Sequence, residues 1–308
     1  MTIEQKIRNL SVPQGPVDVV LDTDAYNEVD DQFAIAYLLR STEKLNTVAI
    51  YAAPFHNRNS TGPEDGMERS YDELQKILTL ARRTDVPSFR GSRGYLTDEK
   101  TPQPSDAASD LVARAQRYTS EKPLYVVAIG AITNVASALL IDPSIAERIV
   151  VVWLGGHGLE HCDCREFNLY QDVAAARVVM GCGVPFVQLP CEGVVRAFSI
   201  SGPELNYWFR GTTDLGDYLA KNTIAAAEVY AKGKVWTRTI WDVTAVAWLL
   251  NDGDRFMDSR LIATPLPAYD GHYELCPDAP LMRYVYKIKR DALWNDVIEK
   301  ITEMKLPR

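Results

Sequence analysis

Five short runs constrain the fold most: Val17–Leu21, Thr47–Tyr51, Leu124–Ile129, Ile149–Leu154 and Pro185–Leu189. Each is β-branched and mostly apolar, with no clean alternation of polar and apolar positions. A strand needs that composition when both of its faces are covered, as in a parallel sheet. Helical patterns separate the runs at Gln32–Leu39, Met67–Ala81, Ser105–Tyr118, Ile132–Leu140 and Val173–Met180. Further helices are expected at Leu219–Ala231, Trp241–Leu250 and Ala292–Met304. Alternating strands and helices predict an α/β fold: a mixed, mainly parallel sheet with helices on both faces. Residues 57–66 and 91–104 read as loops, the first of them mobile and near the site. Residues 199–216 read as a surface region. No repeat or linker divides the chain, so one domain over residues 1–308 is expected.

Composition narrows the function. The chain has 308 residues, 46% of them hydrophobic, and a net charge of −8. No basic run exceeds short pairs such as Arg82-Arg83, which argues against nucleic acid or an anionic membrane as partner. No apolar run is long enough to span a bilayer. The first residues, MTIEQKIRNLSVPQGP, are polar and lack an apolar signal core. Five cysteines, an odd number in a large chain, suit reduced thiols. A cytoplasmic protein is expected.

The segment VDVVLDTDAYNEVDDQFAIAYLL, residues 17–39, places five acids (Asp22, Asp24, Glu28, Asp30 and Asp31) in ten positions between a strand and a helix. One acid at a helix start needs only a capping role. Five crowded carboxylates repel one another unless a cation joins them. A hard divalent ion such as Ca²⁺ takes six to eight oxygen ligands, and Asp24 and Asp31 are placed to converge on one. In open α/β sheets, ligands bind beyond the carboxyl ends of strands, where this turn lies.

Three other features carry possible chemistry. Asp242 opens the apolar helix of TRTIWDVTAVAWLL, residues 237–250, either as a cap or as a further acid of the site. Thr133-Asn134 stand in the first helical turn of VVAIGAITNVASAL, residues 126–139. In REFNLYQD, residues 165–172, Glu166 and Asn168 alternate with Phe167 and face one side of an extended segment, as sugar-binding groups or as surface polarity.

Taken in order, these features resemble the nucleoside hydrolase family: Asp22-Thr23-Asp24, then Asp30-Asp31 opening a helix, the Thr-Asn pair, Glu166-Phe167-Asn168 and the late Asp242. The resemblance implies a Ca²⁺ held by Asp24, Asp31, Asp242 and the backbone carbonyl of Ile129. It implies that Asp24 takes a proton from the bound water, and that Asp30, Asn57, Asn168 and Glu166 bind the ribose, Glu166 towards its 5′ end. Asp22 supports the metal ligands by hydrogen bonding. Asn57 is matched loosely, since HNRNS also offers Asn59. The implied activity is hydrolysis of the N-glycosidic bond of a nucleoside or related glycoside, in a homodimer or homotetramer.

The chain departs from the family pattern in three places. The turn Ala25–Val29 is two residues longer than the usual Pro-Gly type, which brings Tyr26 or Glu28 towards the sugar. Trp241 stands where the nonspecific branch has a histidine, and Trp-Asp resembles the purine-preferring branch. An indole stacked on a purine raises the basicity of its ring nitrogen; core packing is the other reading of Trp241. The loop GGHGLEHCDCREFN lacks the asparagine expected about eight residues before Asn168, and Glu160 lies near that spot. His157 and His161 offer a replacement acid for the leaving base, with His161 the named candidate. Two histidines and two cysteines within this loop also raise zinc, although the spacing fits no standard structural pattern. A different class of function stays open: a binding protein that keeps the pocket without efficient hydrolysis.

Overall fold

The computed structural model describes residues 1–306. Eight strands form the central sheet: β1 (Val17–Thr23), β2 (Leu45–Ala52), β3 (Ser88–Arg90), β4 (Leu124–Ala128), β5 (Ile149–Leu154), β6 (Phe186–Leu189), β9 (Met257–Ala263) and β12 (Leu281–Ile288). Their spatial order is β3-β2-β1-β4-β5-β6-β12-β9. Every pairing is parallel except β12 with the edge strand β9. Two small antiparallel pairs lie apart from it, β7 (Ser199–Ser201) with β8 (Thr237–Thr239), and β10 (Leu266–Pro267) with β11 (Tyr273–Glu274).

Both faces of the strands are buried, which explains their unbroken apolar character. Val19, Leu21, Ile50, Val127, Val150 and Val152 belong to one core cluster. Val20, Ala49, Tyr51, Val126, Val151 and Trp153 belong to the other. Successive side chains thus serve opposite layers. Each fully buried aliphatic side chain contributes on the order of 1.5–3 kcal/mol, so the central strands are held firmly and their carboxyl ends make a fixed platform. Helices α2 (Asp31–Arg40), α3 (Pro63–Leu80), α9 (Asp214–Ala231), α10 (Val243–Leu249) and α11 (Arg290–Thr302) cover the first cluster. Helices α4 (Asp106–Ala115), α5 (Thr133–Ile141) and α7 (Val173–Gly181) cover the second.

The five predicted strands and eight predicted helices are all present, with shifted ends. Four expectations need correction. Residues 199–216 are not a plain surface region: β7 and helix α8 (Gly202–Trp208) lie there, and Ile200, Leu205, Phe209 and Leu215 are buried. Helix α3 starts at Pro63, inside the predicted 57–66 loop, because proline is well placed in a first helical turn. Glu166 and Asn168 do not lie on an extended segment: Glu166 caps the short helix α6 (Phe167–Gln171), and Asn168 sits in its first turn. Three strands absent from the prediction complete the sheet: the short edge strand β3, and β9 and β12 on the other side. The sequences of β9 and β12, MDSRLIA and LMRYVYKI, mix charged and apolar residues because they lie near or at its edge. Among the described residues, no helix is long and apolar enough to cross a membrane.

Candidate active site

The acidic turn opens at the carboxyl end of β1, in a cavity of about 230 Å³. Its wall includes Asp24, Asp30, Asp31, Ile129, Trp241 and Asp242, together with Asn57, Glu166 and Asn168. These come from the chain just beyond β1, β2 and β4, from the starts of α2 and α10, and from α6 and its cap. The parallel strands therefore gather groups that are far apart in sequence.

Asp30 and Asp242 occupy the cap positions of α2 and α10, but neither side chain makes a capping hydrogen bond. They face each other instead. Oxygens of Asp30, Asp31 and Asp242 lie within 4.8 Å of one another, and all three residues are buried. Thr23 donates to Asp31 Oδ1 at 2.5 Å. Asp24 stands outside this tight trio in the same cavity, and both of its carboxylate oxygens are buried without a hydrogen-bond partner. Gly130 passes so close that a Cβ there would lie 3.0 Å from the Asp24 Cγ.

Burial and mutual repulsion set the electrostatics. Burial, followed by the charges of Asp31 and Asp30, pushes the Asp24 carboxyl well above the usual carboxylate range. Burial and Asp30 raise Asp31 to about 8. Burial, then Asp30, Asp31 and Asp24, raise Asp242 strongly. A folded chain keeps orphaned acids in one place only when something else meets their charge. Four carboxylates and the Ile129 carbonyl are all oxygen donors, which suit a hard cation. The residues present therefore fit a metal.

The surrounding groups are already fixed. Asn134 Nδ2 donates to Asp22 Oδ1 at 2.8 Å, and Asn134 Oδ1 accepts from the Ser92 N–H and hydroxyl. Thr133 donates to Asp172, which caps α7. The Thr-Asn pair is thus the clamp that holds Asp22 and the neighbouring loops. Burial raises Asp22 to about 7 despite the Asn134 bond. Asn168 Nδ2 donates to the carbonyls of Ile129 at 3.2 Å and Leu154 at 3.1 Å. Glu166 accepts from the N–H groups of Gly156, Asn168 and Leu169. Gly156 has φ +74°, and a Cβ there would strike the Tyr273 hydroxyl.

Of the two asparagines in HNRNS, Asn57 lines the cavity, while Asn59 donates to the Asn27 carbonyl at 2.8 Å. Asn27, overlooked in the sequence, accepts from Asn57 Nδ2 at 2.6 Å and joins the wall. In the long turn, Glu28 reaches the cavity and Tyr26 is exposed. Arg238, from β8, pairs with Glu28 and comes within 3.7 Å of Asp30. Trp241 lines the cavity and also packs against the core. Glu160 does not enter the wall; it lies 3.8 Å from Arg260. Glu192 and Cys191, which carry no sequence signal, line the cavity instead. Of the imidazoles, His157 lines the cavity. His161 lies outside the wall, its ring centroid 4.4 Å from that of His157.

The model of the inosine-uridine preferring nucleoside hydrolase family matches residues 19–285. The chain belongs to that family. Its members are N-glycosidases that hydrolyse ribonucleosides. Among relatives, the pyrimidine-specific ribonucleoside hydrolase RihA of Escherichia coli O1:K1 / APEC is 30% identical over 269 residues, covering 75% of this chain and 79% of its own. The solved structure of the plant nucleoside hydrolase PpNRh1 shares the fold with a TM-score of 0.75 at 20% identity, covering 94% of this chain and 100% of its own. The purine-preferring ribonucleoside hydrolase from Gardnerella vaginalis aligns with a TM-score of 0.75 at 20% identity, covering 93% and 98%. The family is metal-dependent, and the cluster of Asp30, Asp31 and Asp242 is a possible place for the ion.

Proposed function

We propose that the chain is a Ca²⁺-dependent hydrolase of N-ribosides, with purine nucleosides as its preferred substrates. The observation that carries this reading is Trp241 in the wall of the cavity, next in sequence to Asp242 of the acidic trio. Asp24, Asp31, Asp242 and the Ile129 carbonyl would hold a Ca²⁺, which would lower the pKa of a water and add positive charge beside the sugar. Ca²⁺ suits the site better than Mg²⁺ because the donors are numerous and irregular.

In this reading Asp24, with unpartnered oxygens, takes the proton of the attacking water. Asp30, Asn57, Asn168 and Glu166 hold the ribose, and Asp22, tied to Asn134, supports the strand end. The buried carboxylates favour the positive charge that grows on the sugar as the bond breaks. Trp241 stacks on the departing base and eases protonation of its ring nitrogen. A second proton route runs through His157, with His161 behind it as its partner. The five free cysteines support the cytoplasmic location.

A pyrimidine preference is the second reading, favoured by the pyrimidine specificity stated in the name of the 30% identical relative. Trp241→Ala separates the two. Loss of one stacked base contact, on the order of 1–3 kcal/mol, lowers kcat/KM for inosine by about 5- to 150-fold and affects uridine less. An equal loss on both substrates, or none, would overturn the stacking role.

A further inference from the structure

The loop between β5 and α6 holds a second cluster of metal-binding side chains, apart from the aspartate cluster. His157, His161 and Asp163 each offer a ligand atom within 4.8 Å of the others. Cys162 Sγ lies 3.8 Å from His161 Nδ1 and 3.7 Å from Asp163 Oδ2. His161 Nδ1 lies 3.9 Å from Asp163 Oδ1. We propose that His157, His161, Cys162 and Asp163 form a site for a divalent transition metal such as Zn²⁺ at the rim of the riboside cavity.

The distances suit this. Tetrahedral Zn²⁺ with bonds of about 2.0–2.3 Å places its ligand atoms roughly 3.3–3.6 Å apart. The separations among His161, Cys162 and Asp163 exceed that by only a few tenths of an ångström. His157 groups with His161 and Asp163 but not with Cys162, so Cys162 would join by a turn of its exposed side chain, and the half-buried His161 and Asp163 side chains by small shifts. The imidazoles are loosely committed. His157 Nδ1 meets the Glu192 N–H at 3.4 Å, and His161 Nδ1 meets the Asp163 carbonyl at 3.3 Å. Such long contacts let either ring change tautomer at little cost. Asp163 is oriented from outside, since Oδ1 accepts from the Arg165 N–H at 2.9 Å.

The backbone of the loop is fixed without a metal. Cys164 N donates to the Gly271 carbonyl at 2.8 Å, Gly158 N to that of Glu192 at 2.9 Å, and Leu159 N to the Tyr284 hydroxyl at 3.0 Å. A metal here is therefore a bound ligand rather than a folding element. One thiolate, two imidazoles and one carboxylate select a borderline-soft ion, whereas the aspartate cluster presents only oxygen. The two sites share no residue, so this proposal stands or falls independently of the Ca²⁺ reading. Occupancy ties up both imidazoles, so metal at the rim and proton delivery through His157 exclude each other.

The test uses the full chain with excess Ca²⁺ present, titrated with Co²⁺ as an absorbing stand-in for Zn²⁺. The expected result is one Co²⁺ per chain with a thiolate-to-metal charge-transfer band and tetrahedral ligand-field bands. Cys162→Ser removes the charge-transfer band, and His161→Ala weakens affinity by about ten-fold or more. Circular dichroism checks that both variants fold. Absence of the thiolate band, or a band that survives Cys162→Ser through the exposed Cys182 or Cys276, would overturn the proposal.

Discussion

Asp24→Asn lowers riboside turnover by about a thousand-fold or more while raising the thermal midpoint of the cation-free chain at pH 8. The two effects share one cause. Both Asp24 oxygens are buried without partners, beside three other acids. Deprotonating such a group costs desolvation and repulsion, and a neutral amide of the same shape avoids both. The same change removes the proton acceptor and one oxygen of the metal centre. Activity and cation-free stability therefore move in opposite directions, as they do where a site is built against the needs of folding. Steady-state kinetics and thermal denaturation with chelator check the pair. A variant that keeps its turnover would remove Asp24 from the mechanism, and one that is also less stable than the parent would show that the carboxylate serves the fold.

Chelation has the second large effect, and its size depends on pH. Asp22 is raised to about 7 and Asp31 to about 8, and Asp24 and Asp242 are raised as well. All four folded-state values lie above those of the unfolded chain, so the folded chain binds more protons. The stability these groups permit is complete below about pH 4 and is lost as pH rises through about 7 and 8. For Asp22 alone the shift corresponds to roughly 4 kcal/mol. Without cation, the thermal midpoint should fall steadily from pH 5 to pH 8.5. Ca²⁺ binds the deprotonated acids, so the midpoint gain on adding it should grow over the same range. A gain that is equal at both ends of the range would mean that these carboxyls are not what the ion meets.

The scaffold was legible because its central strands are apolar on both faces, a pattern few other structures need. The edge was not: in β9 and β12, charged residues such as Arg260, Arg283 and Lys287 interrupt the apolar run. The acids were legible for a related reason. Carboxylates between a buried strand and a buried helix are too costly to be incidental, and Asp24, Asp30, Asp31 and Asp242 do converge. The groups that complete the cavity were harder to find. Asn27, Cys191 and Glu192 sit in loops with no periodicity, and only the parallel sheet brings them together. The two imidazoles show the same limit: their spacing placed both near the site, while the backbone turn decided that His157 faces the cavity.

The central claim, cation-dependent cleavage of N-ribosides at the aspartate cluster, is tested most directly by release of reducing sugar. The panel comprises inosine, adenosine, guanosine, uridine and cytidine, each run with Ca²⁺ and with chelator. The predicted result is release from purine ribosides that stops with chelator and returns when Ca²⁺ is restored. Release from no riboside under either condition would contradict it and leave a pocket that binds sugar without cleaving it.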